Sequence, residues 1–215
     1  MHEAPGNPRS VDLPVAERTV DAYLDAIASA APTPGGGSVV GVVAALAAAL
    51  GEMVCALSAA EGAPGDALRS VLGELSGLRG RCLTLAAADE AVYAGYRAAA
   101  SLPRGDAAER AARSAALQAA LATATETPLR LAETSLAAIE ALFRVAPESK
   151  KLLRSDVEIA VLLGEAALRG ALATARGNLG GLDAATGEAF AARAEAIEQA
   201  AARARDAVLG VLARR

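Results

Sequence analysis

The sequence predicts an all-α fold, a single-domain bundle of about six helices around one central apolar helix, and three observations carry that expectation. Alanine and leucine dominate, aromatic residues amount to 2%, and the β-branched and aromatic types that favour strands are sparse. Apolar residues recur at helical spacing through most of the chain. Its 215 residues, 53% of them hydrophobic, are enough for a core, which must be built from small aliphatic side chains in close helix contact. Residues 1–13 show no apolar periodicity and are expected as a tail, with residues 14–215 as one helical domain.

A first helix is expected from about Pro14 to Ala30, with Val20, Leu24 and Ile27 facing inward and Glu17, Arg18, Asp21 and Asp25 mostly facing out. It delivers the chain to Pro32-Thr33-Pro34-Gly35-Gly36-Gly37-Ser38, the most informative stretch of the sequence. The prolines exclude regular helix before the turn. The glycines permit φ > 0 and close approach of a ligand or backbone, and Ser38 is the expected N-cap of the second helix. The free N–H groups and positive dipole end of that helix would suit a phosphate or carboxylate. The same turn would also serve simply to let two helices pack tightly. No Gly-Lys-Ser/Thr comes after it, so it is not a Walker loop.

The second helix, Ser38 to about Ala60, is apolar almost all round and is therefore placed at the centre of the bundle. Glu52 and its Ala/Gly-rich composition argue against a membrane span. Glu61 to Gly65 ends it, and Asp66 would cap a third helix reaching Ser101. Asp106 with Glu109 forms a capping-box pattern for a fourth helix to about Val145, kinked near Thr127-Pro128. A polar, basic connector over residues 146–154 precedes a second capping-box pattern, Ser155 with Glu158, and a fifth helix to about Arg176. The run Gly177-Asn178-Leu179-Gly180-Gly181 is expected to stop it, and a last helix from Asp183 would form an outer or dimer-facing element.

Composition excludes several chemistries. A net charge of -4 argues against a nucleic-acid groove. The single histidine, His2, lies in the tail, which leaves histidine triads, zinc sites and imidazole bases without residues. Cys55 and Cys82 lack C-x-x-C spacing and are expected as buried, reduced thiols. No basic n-region or apolar h-region opens the chain, so the expected location is the cytoplasm.

The order of four segments is specific: PTPGGGSV with its apolar helix, DEAVYAGYRAAASLPRG, RAARSAALQAALATATETPLRLAE, and RSDVEIAVLLGEAALRGALATARGNL. In that order the chain resembles the cyclodeaminase/cyclohydrolase family over roughly residues 15–182. The family includes the cyclodeaminase part of formiminotransferase-cyclodeaminase and stand-alone bacterial methenyltetrahydrofolate cyclohydrolases. The resemblance implies an all-helical homodimer that acts on a tetrahydrofolate derivative, with no tightly bound cofactor or metal, no nucleic-acid partner and no membrane. It implies that Asp89, shortly before Tyr93, is the catalytic carboxylate. By the same resemblance Pro34, Gly35, Gly36, Gly37, Ser38, Tyr93, Arg104, Lys150, Ser155, Asp156 and Asn178 are the expected substrate-binding residues. Arg104 stands for the lysine of the family's Leu-Pro-Lys, and Arg110 or Arg113 with Thr127-Pro128-Leu129 stands for its arginine and Val-Pro-Leu. Two departures stand out: Ser149-Lys150 where the family has Gly-Asn, and Thr174 for the first asparagine of its Asn-x-x-x-Asn-Leu run.

Hydrolysis of a 5,10-methenyl bridge adds water to an amidinium-like carbon and collapses a tetrahedral adduct, which calls for a carboxylate that stabilises the cation and carries a proton. Asp89 comes after the apolar run of residues 83–88, where burial would raise its pKa; it could instead be a solvated partner of Arg81 or Arg97. Asp156 is equally accounted for by favourable charge at a helix N-terminus. Lys150 and Arg154 are either ligands of a folate carboxylate or a solubilising loop. Tyr93 and Tyr96 could pack on a pterin, and filling of the core is expected for at least one of them. Methenyltetrahydrofolate cyclohydrolase is the first expectation, because no formiminotransferase domain accompanies this segment. Formiminotetrahydrofolate cyclodeaminase is the second, and a non-catalytic or different-substrate member, motivated by Lys150 and Thr174, the third.

Overall fold

The structure, a computed structural model, describes residues 13–59 and 66–214. The turn expected at residues 61–65, the Asp66 side chain and the tail up to residue 12 lie outside the described residues. A 3₁₀ turn at Val15–Glu17 precedes α1 (Val20–Ala28), α2 (Gly36–Ala59), α3 (Asp66–Ala100) and α4 (Ala107–Val145). A second 3₁₀ turn, Lys151–Leu153, leads into α5 (Arg154–Leu179), and α6 (Ala184–Ala213) closes the chain. No strand occurs among the described residues.

Helices α2 to α5 alternate in direction and form a four-helix ring, α2 against α3 and α5, and α4 against α3 and α5, with α6 laid on α4 and α5. By length and composition α2 is apolar enough to cross a membrane, yet here it packs inside the bundle through Ala44, Ala47, Ala48 and Val54. Small residues let it approach closely. A Cβ on Gly41 would lie 2.6 Å from the Ala86 Cβ, so the α2–α3 contact exists because position 41 has no side chain. Above and below, Gly37 meets Asp89 and Gly51 meets Leu75, which sets the antiparallel register of the two helices. Cys55 and Cys82 are buried and free, their thiols pushed up to about 11, first by burial, and so are unreactive.

Several local expectations are corrected. The first helix is split: Thr19 accepts from the Ala22 N–H and starts α1, which buries Tyr23 and Ala26 and leaves Val20 and Leu24 exposed. The inward face is the one that docks on Ala86 of α3 and Val42 of α2, with Ile27 beside it. Ser38 is not the N-cap of α2, because the helix already begins at Gly36 and buries Ser38 in its first turn. Ser155 does not cap α5 either: the 3₁₀ turn runs directly into Arg154, and no side chain caps the start. At its other end α5 continues to Leu179. No described glycine has positive φ, and of Gly35, Gly36 and Gly37 only Gly37 serves close approach, its missing side chain leaving room for Asp89. The capping box of Asp106 and Glu109 forms as expected, and Asp183 caps α6 through the Thr186 N–H. Arg193 ties α6 down by bridging Glu126 and Glu133 of α4 at 2.6 and 2.7 Å.

Candidate functional site

The glycine turn places the N-terminus of α2 against the middle of α3. A Cβ on Gly37 would come within 2.0 Å of Asp89 Oδ1, so the carboxylate occupies the space of the missing side chain. The Ser38 backbone amide lies beside it and favours its charged form. An anion at this helix start was expected as a ligand; the chain supplies one itself. The Asp89 carboxyl is held above the usual carboxylate range, chiefly by burial and further by the neighbouring Glu90 charge, with the Ser38 N–H acting in the opposite direction. Neither Arg81 nor Arg97 pairs with it.

Asp89 opens into a cleft of about 540 Å³, a volume suited to a drug-sized or cofactor-sized molecule. Gly35, Gly36 and Gly37 form one wall, Tyr93 and Tyr96 of α3 another, and Thr174 and Asn178 of α5 the far side. Both tyrosines line this cleft, with Tyr93 exposed, rather than filling the core. Asn178 has a local cause. Pro128 has no N–H, which frees the Ala124 carbonyl of α4 from its helical partner. The Asn178 side-chain amide donates to that carbonyl at 2.9 Å, joining the end of α5 to α4 at the cleft. The Thr174 hydroxyl is bonded back to Gly170 O at 3.2 Å.

Five expected site residues besides Asp89 therefore converge here: Gly35, Gly36, Gly37, Tyr93 and Asn178. Pro34, which comes after a cis peptide bond, and Ser38 form the back of the turn rather than the cleft surface. Arg104 is exposed in the α3–α4 turn, outside the cleft lining. Lys150, Ser155 and Asp156 lie at the opposite end of α2, where the Lys150 N–H meets Ser58 Oγ, roughly 30 Å from Ser38 along the helix. Among the described residues no group of three or more His, Cys, Asp or Glu is placed to hold a metal ion.

The sequence reading missed the polar residues behind the turn. Tyr23 OH lies 2.8 Å from Ser38 Oγ, and the Ser38 hydroxyl donates to Glu90 at 3.2 Å. Arg18, expected on a solvated face, forks onto Glu90 at 3.0 and 3.2 Å with its side chain only 6% exposed. Two adjacent acids, Asp89 and Glu90, inside an otherwise apolar helical stretch were the available signal, since a buried pair requires a cation.

Residues 19–196 match the formiminotransferase-cyclodeaminase family. The methenyltetrahydrofolate cyclohydrolase of Methylorubrum extorquens is 36% identical over 168 residues, covering 77% of this chain and 81% of that protein. The formimidoyltransferase-cyclodeaminase of Gallus gallus is 29% identical over 163 residues, 74% of this chain but 30% of that longer protein. Among solved structures, formiminotetrahydrofolate cyclodeaminase from Thermotoga maritima superposes with a TM-score of 0.81 at 24% identity, covering 92% of this chain and 97% of that one. That likeness concerns the fold.

Proposed function

The chain belongs to the formiminotransferase-cyclodeaminase family, and on that premise we propose that it hydrolyses 5,10-methenyltetrahydrofolate to 10-formyltetrahydrofolate. One observation carries the reading: a carboxyl lodged on Gly37, partly desolvated, at the mouth of a cleft with two tyrosine walls. The amidinium-like methenyl carbon is placed beside Asp89, whose charge favours the cation and whose oxygen takes a proton from the attacking water. The tetrahedral adduct then collapses as the bond to N5 breaks and its C–OH becomes the formyl C=O: Asp89 returns the first proton to N5, and the hydroxyl proton leaves to water as the net proton released on hydrolysing the cation. The raised affinity of Asp89 for its proton suits both halves of this transfer. Tyr93 and Tyr96 would flank the pterin, and Asn178 would close the far end.

The test is loss of 5,10-methenyltetrahydrofolate absorbance with wild-type protein beside Asp89→Asn. Acceleration by wild type alone is expected; no acceleration by either protein overturns the assignment. Cyclodeamination of a formimino folate is the second reading, supported by the relatives named formimidoyltransferase-cyclodeaminase, and release of ammonia without methenyl hydrolysis would select it. In that reaction Asp89 would protonate the departing ammonia as N10 closes on the formimino carbon.

The reading extends to a homodimer acting in the cytoplasm without a bound metal or cofactor. The homodimer is supported by an exposed apolar face on the adjacent helices α2 and α5: Leu46, Met53 and Leu57 on one, Ile159 and Leu162 on the other, with Leu152 just before α5. Antiparallel pairing of two such faces would bring Lys150, Ser155 and Asp156 of the second copy towards the glycine turn, where the expected binding roles could be exercised.

A further inference from the structure

The wall that α5 gives to the catalytic cleft accepts hydrogen bonds rather than donating them, and the cause lies in bonds made inside the chain. Pro128 leaves the Ala124 carbonyl without its helical donor, and only the NH2 end of the Asn178 amide can serve a carbonyl. The 2.9 Å bond therefore fixes which way the amide points, and Oδ1 is left with no partner among the described residues. No unpaired side-chain oxygen is buried among them, so this Oδ1 stays accessible on a residue that lines the cleft. One turn earlier the Thr174 hydroxyl gives its proton to Gly170 O, so its oxygen can only accept from a ligand. The Gly181 N–H is committed to the Asn178 backbone carbonyl, and Leu121 and Ala124 add apolar groups to that side. The opposite wall has the reverse polarity: Gly36 and Gly37 stand in the first turn of α2, whose N–H groups have no helical acceptor.

We propose that Asn178 and Thr174 are specificity-determining residues that read the hydrogen-bond-donor edge of the substrate's bicyclic ring, the 2-amino group and N3–H of a pterin. The inference rests on the folate reading and deepens it. In a pterin the C4 carbonyl adjoins N5, while the 2-amino group lies at the far end of the ring system. With N5 at Asp89, the carbonyl falls on the side of the α2 N–H groups and the donors on the side of α5. The acid and the polarity of the two walls thus select one orientation of the ring. Thr174, which stands where the resembling family has asparagine, still offers an acceptor there.

The experiment is a fluorescence titration of the full chain with two probes, pterin and lumazine, the second carrying a carbonyl acceptor where the first carries the 2-amino donor. Wild type is expected to bind pterin at least about tenfold more tightly, because lumazine sets acceptor against acceptor. Thr174→Val, which keeps the shape and removes the oxygen, should narrow that preference several-fold. Pro128→Ala leaves Asn178 in place but returns a helical N–H to the Ala124 carbonyl, so the amide is free to turn its NH2 to the cleft and the preference narrows as well. An Asn178 that serves only the helix contact would leave the preference in Pro128→Ala unchanged. An unchanged preference in either variant overturns the role of the residue it probes, and should Pro128→Ala fail to fold, Thr174→Val decides. Lumazine bound as tightly as pterin by wild type, or neither probe bound, overturns the proposal. The methenyl hydrolysis assay runs alongside: pterin preference without turnover upholds the donor-edge assignment and overturns the assigned reaction, whereas turnover without preference overturns the donor-edge assignment alone.

Discussion

At the scale of single residues, Asp89 occupies an unfavourable position that the reaction uses. Its folded-state proton affinity is raised above the unfolded value, so the native chain holds the proton more tightly. The stability contribution is therefore present at low pH and lost as pH rises through the folded-state pKa. Asp89→Asn should melt at a higher temperature than wild type at pH 7, with the gap closing under acid, while hydrolysis falls on the order of 10²–10⁴-fold as expected for a lost acid–base group. Thermal scans across pH and the absorbance assay check the two halves. Gly37 and Gly36 provide a second contrast. Gly37→Ala drives a Cβ into the Asp89 carboxyl and should remove activity, whereas a Cβ at Gly36 meets nothing within 4 Å. Gly36→Ala should gain roughly 0.4–1 kcal/mol in denaturant unfolding, because it restricts the unfolded chain at a helical position.

At the scale of helices, the cleft depends on repairs made where regular structure is broken. Pro128 deprives the Ala124 carbonyl of its helical donor, and Asn178 reaches across from α5 to supply one. Asn178→Ala should cost about 1–3 kcal/mol, the penalty of leaving a part-buried acceptor unpaired. In a Pro128→Ala background the restored helical N–H takes the carbonyl, so the same Asn178→Ala change should cost less by about 1 kcal/mol; a double-mutant cycle by urea denaturation measures the difference. Equal costs in both backgrounds would show that the amide does not serve this carbonyl. Much of this scale was legible in the sequence. The Asp106–Glu109 capping box and the Asp183 cap form because they act on neighbours three residues away. The Ser155 cap does not, because a 3₁₀ turn extends the helix backwards past it.

At the scale of the whole molecule, the exposed apolar face of α2 and α5 leads to a prediction about assembly. Light scattering should report about twice the 21.4 kDa chain mass, and Met53→Glu combined with Ile159→Glu should return it to the monomer. If the second copy completes the site, mixing inactive Asp89→Asn with an inactive Asp156→Ala variant should recover activity that neither has alone. No recovery on forming mixed dimers would confine the site to one protomer.

Sequence by itself determined the helical class, the order of elements and the central place of α2, since periodicity, composition and local punctuation are properties of neighbours along the chain. Tertiary structure alone decided that the acid lodged on the turn at Gly37 is the chain's own Asp89. It also decided that Ser38 lies behind the turn rather than capping it, that Tyr93 and Tyr96 face the cleft, and that Arg18 leaves the solvated face to neutralise Glu90. The reason is range. Arg18 and Glu90 are 72 residues apart, and whether a charge is paired or solvated depends on which helix faces arrive at the same place, which no local pattern specifies.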